Sequence, residues 1–202
     1  MKQTLRWYNE NAVEYSAETA PFDVEEIYSK VLDGMGKNLN ILDFGCGAGR
    51  DTAYFNSKGH NVVALDQSRK LVEETYKRVA AKTGKAIGLK TVVANYVDWF
   101  FFNYNDDFDI IWCNQSLYHL PTKALSEVVA KLYQDYLKKG GKLFMNFKNG
   151  MLEKRAEDGR FYNNVNQKKM NNSILTFPYT SKEEWSAFDS NGQRWYNIIL
   201  TK

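Results

Sequence analysis

Short apolar runs alternate along this chain with longer segments whose apolar residues recur every three or four positions, the pattern of strands separated by helices. Asn40–Phe44, Asn61–Leu65 and Phe108–Cys113 are the clearest strands, and the last is apolar at nearly every position, as a strand buried on both faces must be. A third strand falls within Ala86–Ala94. Arg50 opens one helix. Ser68, a good N-cap, opens another that runs to about Lys82. Pro121 suits the first turn of a helix reaching roughly Leu137, which Gly140-Gly141 ends before strand five, Lys142–Phe147. Asn191-Gly192, flanked by Glu184–Ser190 and Gln193–Leu200, is a hairpin signal. Strand–helix alternation predicts an α/β fold with a parallel sheet and helices on both faces. At 202 residues and without an internal repeat, the chain is expected to form one domain.

Ile41-Leu42-Asp43-Phe44-Gly45-Cys46-Gly47-Ala48-Gly49 carries the chemistry. It runs from strand through tight turn to helix start, and three glycines at alternate positions let backbone approach a ligand without side chains in the way. Asp51 sits in the opening helical turn, where the dipole favours an anion. About 20 residues on, Asp66 ends the second strand, where it either accepts from both ribose hydroxyls, as the spacing of a β-α-β nucleotide unit allows, or only caps the next helix of a domain without a ligand. Arg50 occupies the place where a dinucleotide fingerprint has its third glycine, which disfavours NAD.

Gly-x-Gly-x-Gly behind an Asp resembles motif I of class I S-adenosylmethionine-dependent methyltransferases. The resemblance continues block by block: Val93–Trp99 is similar to the motif after strand three, Phe108–Pro121 to motif IV, and Leu137–Leu143 to the turn into strand five. Tyr8-x-x-x-Ala12-x-x-Tyr15 resembles a helix that family members fold over the cofactor, and Asp158-Gly159-Arg160-Phe161-Tyr162 resembles small stand-alone bacterial members of the tellurite-resistance type. The implied fold is Rossmann-like, with a mostly parallel seven-stranded sheet, an antiparallel C-terminal hairpin strand and helices on both faces. The implied divisions are lid helices over 1–38, a cofactor-binding core over 39–148, and a substrate-side loop with the hairpin over 149–202.

The implied cofactor is S-adenosyl-L-methionine, which leaves as S-adenosyl-L-homocysteine. By resemblance, the turn Gly45, Cys46, Gly47 and Gly49 backs its methionine and ribose portion, Asp43 orients the turn and the ammonium, and Asp66 takes the ribose. Gln67 and Tyr96 border the adenine. Asn95 stands where the family usually has Asp, and its side-chain oxygen can still accept from the adenine amino group. Asn114 offers its backbone carbonyl to the ammonium. Arg50 either meets the methionine carboxylate or stays on the helix surface. Tyr8 and Tyr15 close as a lid, pack on the sheet as ordinary aromatics, or both. His119 is the candidate base because it titrates near neutral pH, or else it is a histidine bonded to backbone; Tyr118 is the neighbouring alternative. His60 is expected in solvent. Lys148, Arg155, Arg160, Lys168 and Lys169 either draw in an anionic substrate or form a solvated face.

Composition narrows the reading further. Two cysteines and two histidines cannot build a metal site or a disulfide framework, so no metal is expected. A net charge of +3 falls well short of a nucleic-acid footprint. Trp99–Phe102, among the longest apolar runs, cannot span a bilayer, and Met1–Arg6 has no signal-like apolar region, so a cytoplasmic location is expected. These features favour a small-molecule acceptor methylated on O, N or S. An RNA or protein methyltransferase and a non-catalytic cofactor-binding protein stay open, as do the acceptor's identity and the oligomeric state.

Overall fold

The apolar runs become the strands of one sheet. The structure, a computed structural model, describes residues 2–19, 24–101 and 107–202; the aromatic run at 99–102 lies outside its described side chains. Strands β1 (Asn40–Phe44), β2 (Asn61–Asp66), β3 (Leu89–Val93), β4 (Phe108–Cys113) and β5 (Leu137–Lys148) are parallel. A small separate hairpin, β6 (Glu153–Arg155) with β7 (Phe161–Asn163), orders the segment around Asp158-Gly159. β8 (Ser181–Phe188) and β9 (Arg194–Thr201) form the antiparallel C-terminal hairpin, giving a seven-stranded order β3-β2-β1-β4-β5-β9-β8. That order reverses between β1 and β4, and the carboxyl ends of those strands border the crevice where doubly wound sheets bind ligands.

Helices cover both faces. On one, Tyr28 and Val31 of α3 (Glu25–Leu32), after α1 (Lys2–Glu10) and α2 (Ala12–Thr19), pack with Phe55 of α4 (Arg50–Ser57) on Ile41, Ile110 and Trp112. On the other, Leu125, Val128 and Val129 pack on Leu42, Ile111 and Leu143. Those three side chains belong to α7 (Thr122–Lys131), which follows α5 (Arg69–Thr83) and α6 (Tyr96–Phe101). Ser68 caps α5 by accepting from the Leu71 amide at 3.2 Å. Among the described residues, no helix is long and apolar enough to cross a membrane.

Three sequence expectations need correction. The helix after Pro121 runs to Tyr136 as expected, its last turn Leu132–Tyr136 being π-helical, but it leads straight into β5 with no glycine stop between. Gly140-Gly141 therefore lies inside the strand, not at a helix end. Leu137 already pairs with Phe108, and Gly140 at φ 77° lies in the irregularity where the β4–β5 register shifts. The Tyr8–Tyr15 segment is two helices that meet at Asn11, whose side chain donates to the Trp7 carbonyl at 2.8 Å beside its own amide at 3.0 Å. His60 is buried, with its Nδ1 accepting from the Leu39 amide at 3.1 Å, because this loop closes the bottom of the sheet.

Gly49 shows how tightly the turn is wedged. It adopts φ 78°, and a Cβ placed there would lie 2.7 Å from the Thr75 Cα on α5. Gly59, at φ 86°, faces open space. Gly59→Ala is expected to cost about 1–2 kcal/mol from left-handed strain alone. Gly49→Ala should cost at least about 2 kcal/mol more, because backbone must also move. Urea denaturation of the two variants checks this, and equal midpoints would contradict the packing role.

Candidate active site

The glycine turn is anchored to its neighbouring strand by backbone. Gly45 and Cys46 both donate to the Leu65 carbonyl, at 2.8 and 2.9 Å, and Gly49 donates to the Cys46 carbonyl at 3.0 Å. Asp66, at the end of β2, closes the other side: its Oδ2 accepts from the Gly47 amide at 3.0 Å and its Oδ1 from the Ser68 amide at 2.8 Å. Burial raises the Asp66 pKa above the ordinary carboxylate value, and those amides oppose the rise by favouring the charged form. A cavity opens here, lined by Gly45, Gly47, Asp66, Gln67 and Tyr96, with apolar surface from Leu65, Ala94 and Leu117. Tyr8 and Tyr15 face these residues from the N-terminal helices, which pack through Ala12 on Ala48 and Leu71. A Cβ on Gly47 would meet the Tyr15 ring at an ordinary 3.4 Å, so it is the left-handed backbone at φ 56° that calls for glycine under the tyrosine.

Beneath the turn lies a buried carboxylate with donors from four directions. Asp51 accepts from Tyr28 Oη at 2.6 Å, Trp112 Nε1 at 2.8 Å and Asn114 Nδ2 at 2.9 Å. Arg50 adds a two-pronged pair through Nε at 2.6 Å and a terminal nitrogen at 3.1 Å. Burial opposes its charge, but the guanidinium and these donors overcome that and hold Asp51 below the usual carboxylate range. Asp43, nearby and also buried, moves the opposite way. Burial and the Asp51 charge push it up to about 8, although Thr52 Oγ1 donates to it at 2.5 Å. The row continues outward: Asn114 Oδ1 accepts from Asn146 Nδ2 at 2.8 Å, and Asn146 Oδ1 accepts from the Gln115 amide at 2.6 Å.

His119 is committed on both sides. A carbonyl oxygen only accepts, so the 2.6 Å contact between Nδ1 and the Phe161 carbonyl places the ring proton on Nδ1. Nε2 then carries the lone pair and accepts from Tyr8 Oη at 2.8 Å. Burial, together with the charges of Arg160 and Lys148, lowers the His119 pKa to about 4, and burial raises that of Tyr8. The pair is therefore neutral and joins α1 to the loop after β4.

The remaining candidates divide by place. Arg50, Asn114 and Cys46 line a smaller recess beside the glycine turn together with Asp51, while Asp43 sits behind it under Thr52. Asn95 is turned away from the cavity, its oxygen accepting from the Val97 and Asp98 amides at 2.9 and 3.0 Å to start α6. Tyr118 lies outside the cavity, stacked on Tyr162 at 5.5 Å. Of the five basic residues, Lys168 and Arg155 are exposed, but Lys169 is buried against Asn163 Oδ1 at 2.6 Å and Arg160 lies 3.7 Å over the Trp7 ring. Two residues beyond the sequence candidates emerge. Gln115 adopts φ 53° between the cavity, the recess and a third cleft, a strained backbone held by the Asn146 bond. Ser116 borders the cavity with a buried hydroxyl that has no partner among the described residues.

Comparison with known proteins identifies the family and the fold. A family profile described as "Methyltransferase domain" matches residues 41–141. The uncharacterized protein YmfD of Escherichia coli K12 is 28% identical over 168 residues, spanning 76% of this chain and 72% of that protein. The Burkholderia thailandensis 1,6-didemethyltoxoflavin-N1-methyltransferase, solved with 1,6-didemethyltoxoflavin and S-adenosylhomocysteine, superposes at TM-score 0.78 with 17% identity. It covers 100% of this chain and 88% of its own. The N-methyltransferase NodS of Bradyrhizobium japonicum, solved with S-adenosylhomocysteine, has TM-score 0.67 and 17% identity over 98% of this chain and 97% of its own. TehB of Haemophilus influenzae has TM-score 0.67 and 13% identity over 95% and 67%.

The His119 pair has a pH signature. Its folded pKa, about 4, lies below that of free histidine, about 6.5, so its stabilisation is full above the higher value and is lost as pH falls through the lower. Melting temperatures of the parent and His119→Gln should differ most near pH 7 and converge toward pH 4. A gap that stays constant across that range would contradict the neutral pair.

Proposed function

Because the chain belongs to the class I S-adenosylmethionine-dependent methyltransferase family, we propose that it moves a methyl group from S-adenosylmethionine to an O, N or S nucleophile of a small molecule by in-line displacement. The observation that carries this reading is Asp66: a carboxylate lining the cavity at the tip of β2, tied to Gly47 of the neighbouring turn by a backbone amide. The chemistry of the lining fits the sulfur nucleoside. Two carboxylate oxygens suit vicinal hydroxyls, apolar Leu65, Ala94 and Leu117 suit a flat base, and the unpartnered Ser116 hydroxyl is free for a polar group.

When bound, the sulfonium cofactor supplies an already activated methyl group, so the protein's task is orientation and exclusion of water. Asp66 would hold the sugar, Gln67 and Tyr96 would flank the base, and Gly45 and Gly47 would lie against the remainder. Asp51 neutralises Arg50 and fixes Asn114, which keeps the recess beside the turn rigid. Tyr8 and Tyr15 would cover the reacting end, with Tyr8 pinned by His119.

Nothing in this arrangement makes His119 a ready base. Its lone pair is taken by Tyr8, and a positive charge there would sit against Arg160 and Lys148. Its role in this reading is to position the lid. The acceptor would then arrive as a neutral amine or heterocyclic nitrogen, whose methylated cation releases any proton to water afterwards, or as an anion already ionised in water. A small acceptor is supported by the absence of a dense basic stripe in the sequence and by the two N-methyltransferases among the similar structures.

Calorimetry tests the reading. S-adenosylhomocysteine should bind in the micromolar range and NAD should give no heat. Asp66→Ala removes two charge-assisted bonds, a loss of about 3 kcal/mol or roughly 100-fold in affinity. A silent titration with the sulfur nucleoside, or an unaffected Asp66→Ala variant, would overturn it.

A further inference from the structure

Beyond Tyr8, Tyr15 and Gln115 the cavity gives way to a second cleft of about 900 Å³, on the far side of the same three residues. Its floor is built by strand register. Asn146 of β5 lies opposite Asn197 of β9, and Lys148 lies opposite Trp195. Directly opposed residues, and residues two apart on one strand, point to the same face, so these four side chains form one patch. Diagonal neighbours in such a patch stand about 7 Å apart, close to the span of a two-ring heterocycle.

Two members of the cleft have chemistry with nothing to answer it among the described residues. Asn197 is 1% exposed and borders the cleft, yet neither its amide nitrogen nor its oxygen has a partner among the described residues. The polar row from Asp51 through Asn114 to Asn146 stops one strand short of it. A buried primary amide left unsatisfied costs on the order of 1–3 kcal/mol, and nothing in the packing returns that cost. Lys148 is half-buried over the Tyr162 ring at 4.6 Å, and no carboxylate pairs with it among the described residues. The charges around it are Arg160, Lys154, Asp158 and Asp189. Both acids are engaged elsewhere, Asp158 by Arg160 at 2.7 Å and Asp189 by Trp195 Nε1 at 2.9 Å. Tyr118, stacked on Tyr162 and 6.0 Å from Trp195, completes an aromatic wall with those two rings.

We propose that this cleft takes the methyl acceptor as a planar heteroaromatic lactam, its N–H and C=O edge paired with the Asn197 amide and an electron-rich oxygen turned to Lys148. A lactam edge offers one donor beside one acceptor, the complement of a primary amide. Aromatic walls accept a flat ring, and an ammonium without a counterion favours an enolate-like oxygen. This inference rests on the methyltransferase reading and extends it to the class of acceptor.

The probes are lumazine, a bicyclic lactam, and 1,3-dimethyllumazine, which keeps the ring but has no N–H. Each is titrated by fluorescence with and without S-adenosylhomocysteine. Lumazine should bind at least tenfold more tightly than its dimethyl derivative. Lys148→Met should weaken lumazine several-fold, with a larger loss at pH values where lumazine is anionic. Asn197→Leu separates anchor from scaffold. It should raise the melting temperature, because an unsatisfied amide is replaced by an apolar group, and it should lower lumazine affinity at least tenfold. Equal binding of the two probes, or a stabilised Asn197→Leu protein with unchanged lumazine affinity, would overturn the proposal. If S-adenosylhomocysteine binds and lumazine does not, only the acceptor class fails; if the nucleoside itself does not bind, the methyltransferase reading fails, and the lumazine comparison without it still decides the cleft.

Discussion

A single buried carboxylate organises the ligand end of this molecule. Asp51 collects a phenol from α3, an indole from β4, an amide from the loop after β4 and a guanidinium from its own helix. Each of those donors is itself largely sealed from water, so each would be unsatisfied without the acid. Removing one partner of such a set typically costs about 3–5 kcal/mol, because the others remain buried and uncompensated. The interaction explains why four separate elements meet at fixed distances beneath the glycine turn. It also explains why the neighbouring Asp43 is driven toward its protonated form, since two adjacent buried carboxylates cannot both ionise cheaply.

From that anchor the site divides into two chambers with a shared wall. The side nearer the glycine turn is shaped by backbone: amides and carbonyls of Gly45, Cys46 and Leu65, with Asp66 as the only carboxylate lining the cavity among the described residues. The far side is shaped by side chains of β5 and β9 and by the β6–β7 hairpin. Tyr8, Tyr15 and Gln115 belong to both chambers. An enzyme that must bring two molecules together at one point needs such a wall, thin and rigid, and here it is held by the Tyr8–His119 bond and the Gln115–Asn146 bond.

Much of the fold was legible in the sequence, because strands buried on both faces are continuous apolar runs and their limits follow from glycine and polar residues. β1 and β4 coincide with the expected runs residue for residue. The glycine turn and the place of Asp66 at the end of β2 were legible because a strand–turn–helix unit puts particular residues at a particular interval. What failed were features set by particular contacts, local or across the sheet, that residue type alone does not reveal. Gly140-Gly141 has the look of a helix stop, yet the strand starts earlier because Leu137 finds Phe108 across the sheet. Asn95 fits an adenine acceptor by its place in the chain, but two local amides capture its oxygen first. The basic residues between 148 and 169 were indistinguishable in a polar loop, and only folding turns Arg160 onto Trp7 and buries Lys169. One missed signal was present. Trp112 in a nearly all-apolar strand needs an acceptor for its indole N–H, and folding brings Asp51 to it.

The central claim is that the bend at Gly45–Gly49 and the acid at Asp66 together hold a sulfur nucleoside. Crystals grown with S-adenosylhomocysteine address it directly. The account predicts both sugar hydroxyls on the Asp66 carboxylate, the ring system beside Tyr96, and the Tyr8–His119 contact intact above them. Nucleoside density at another place, or an Asp66 carboxylate turned away from the sugar, would contradict it.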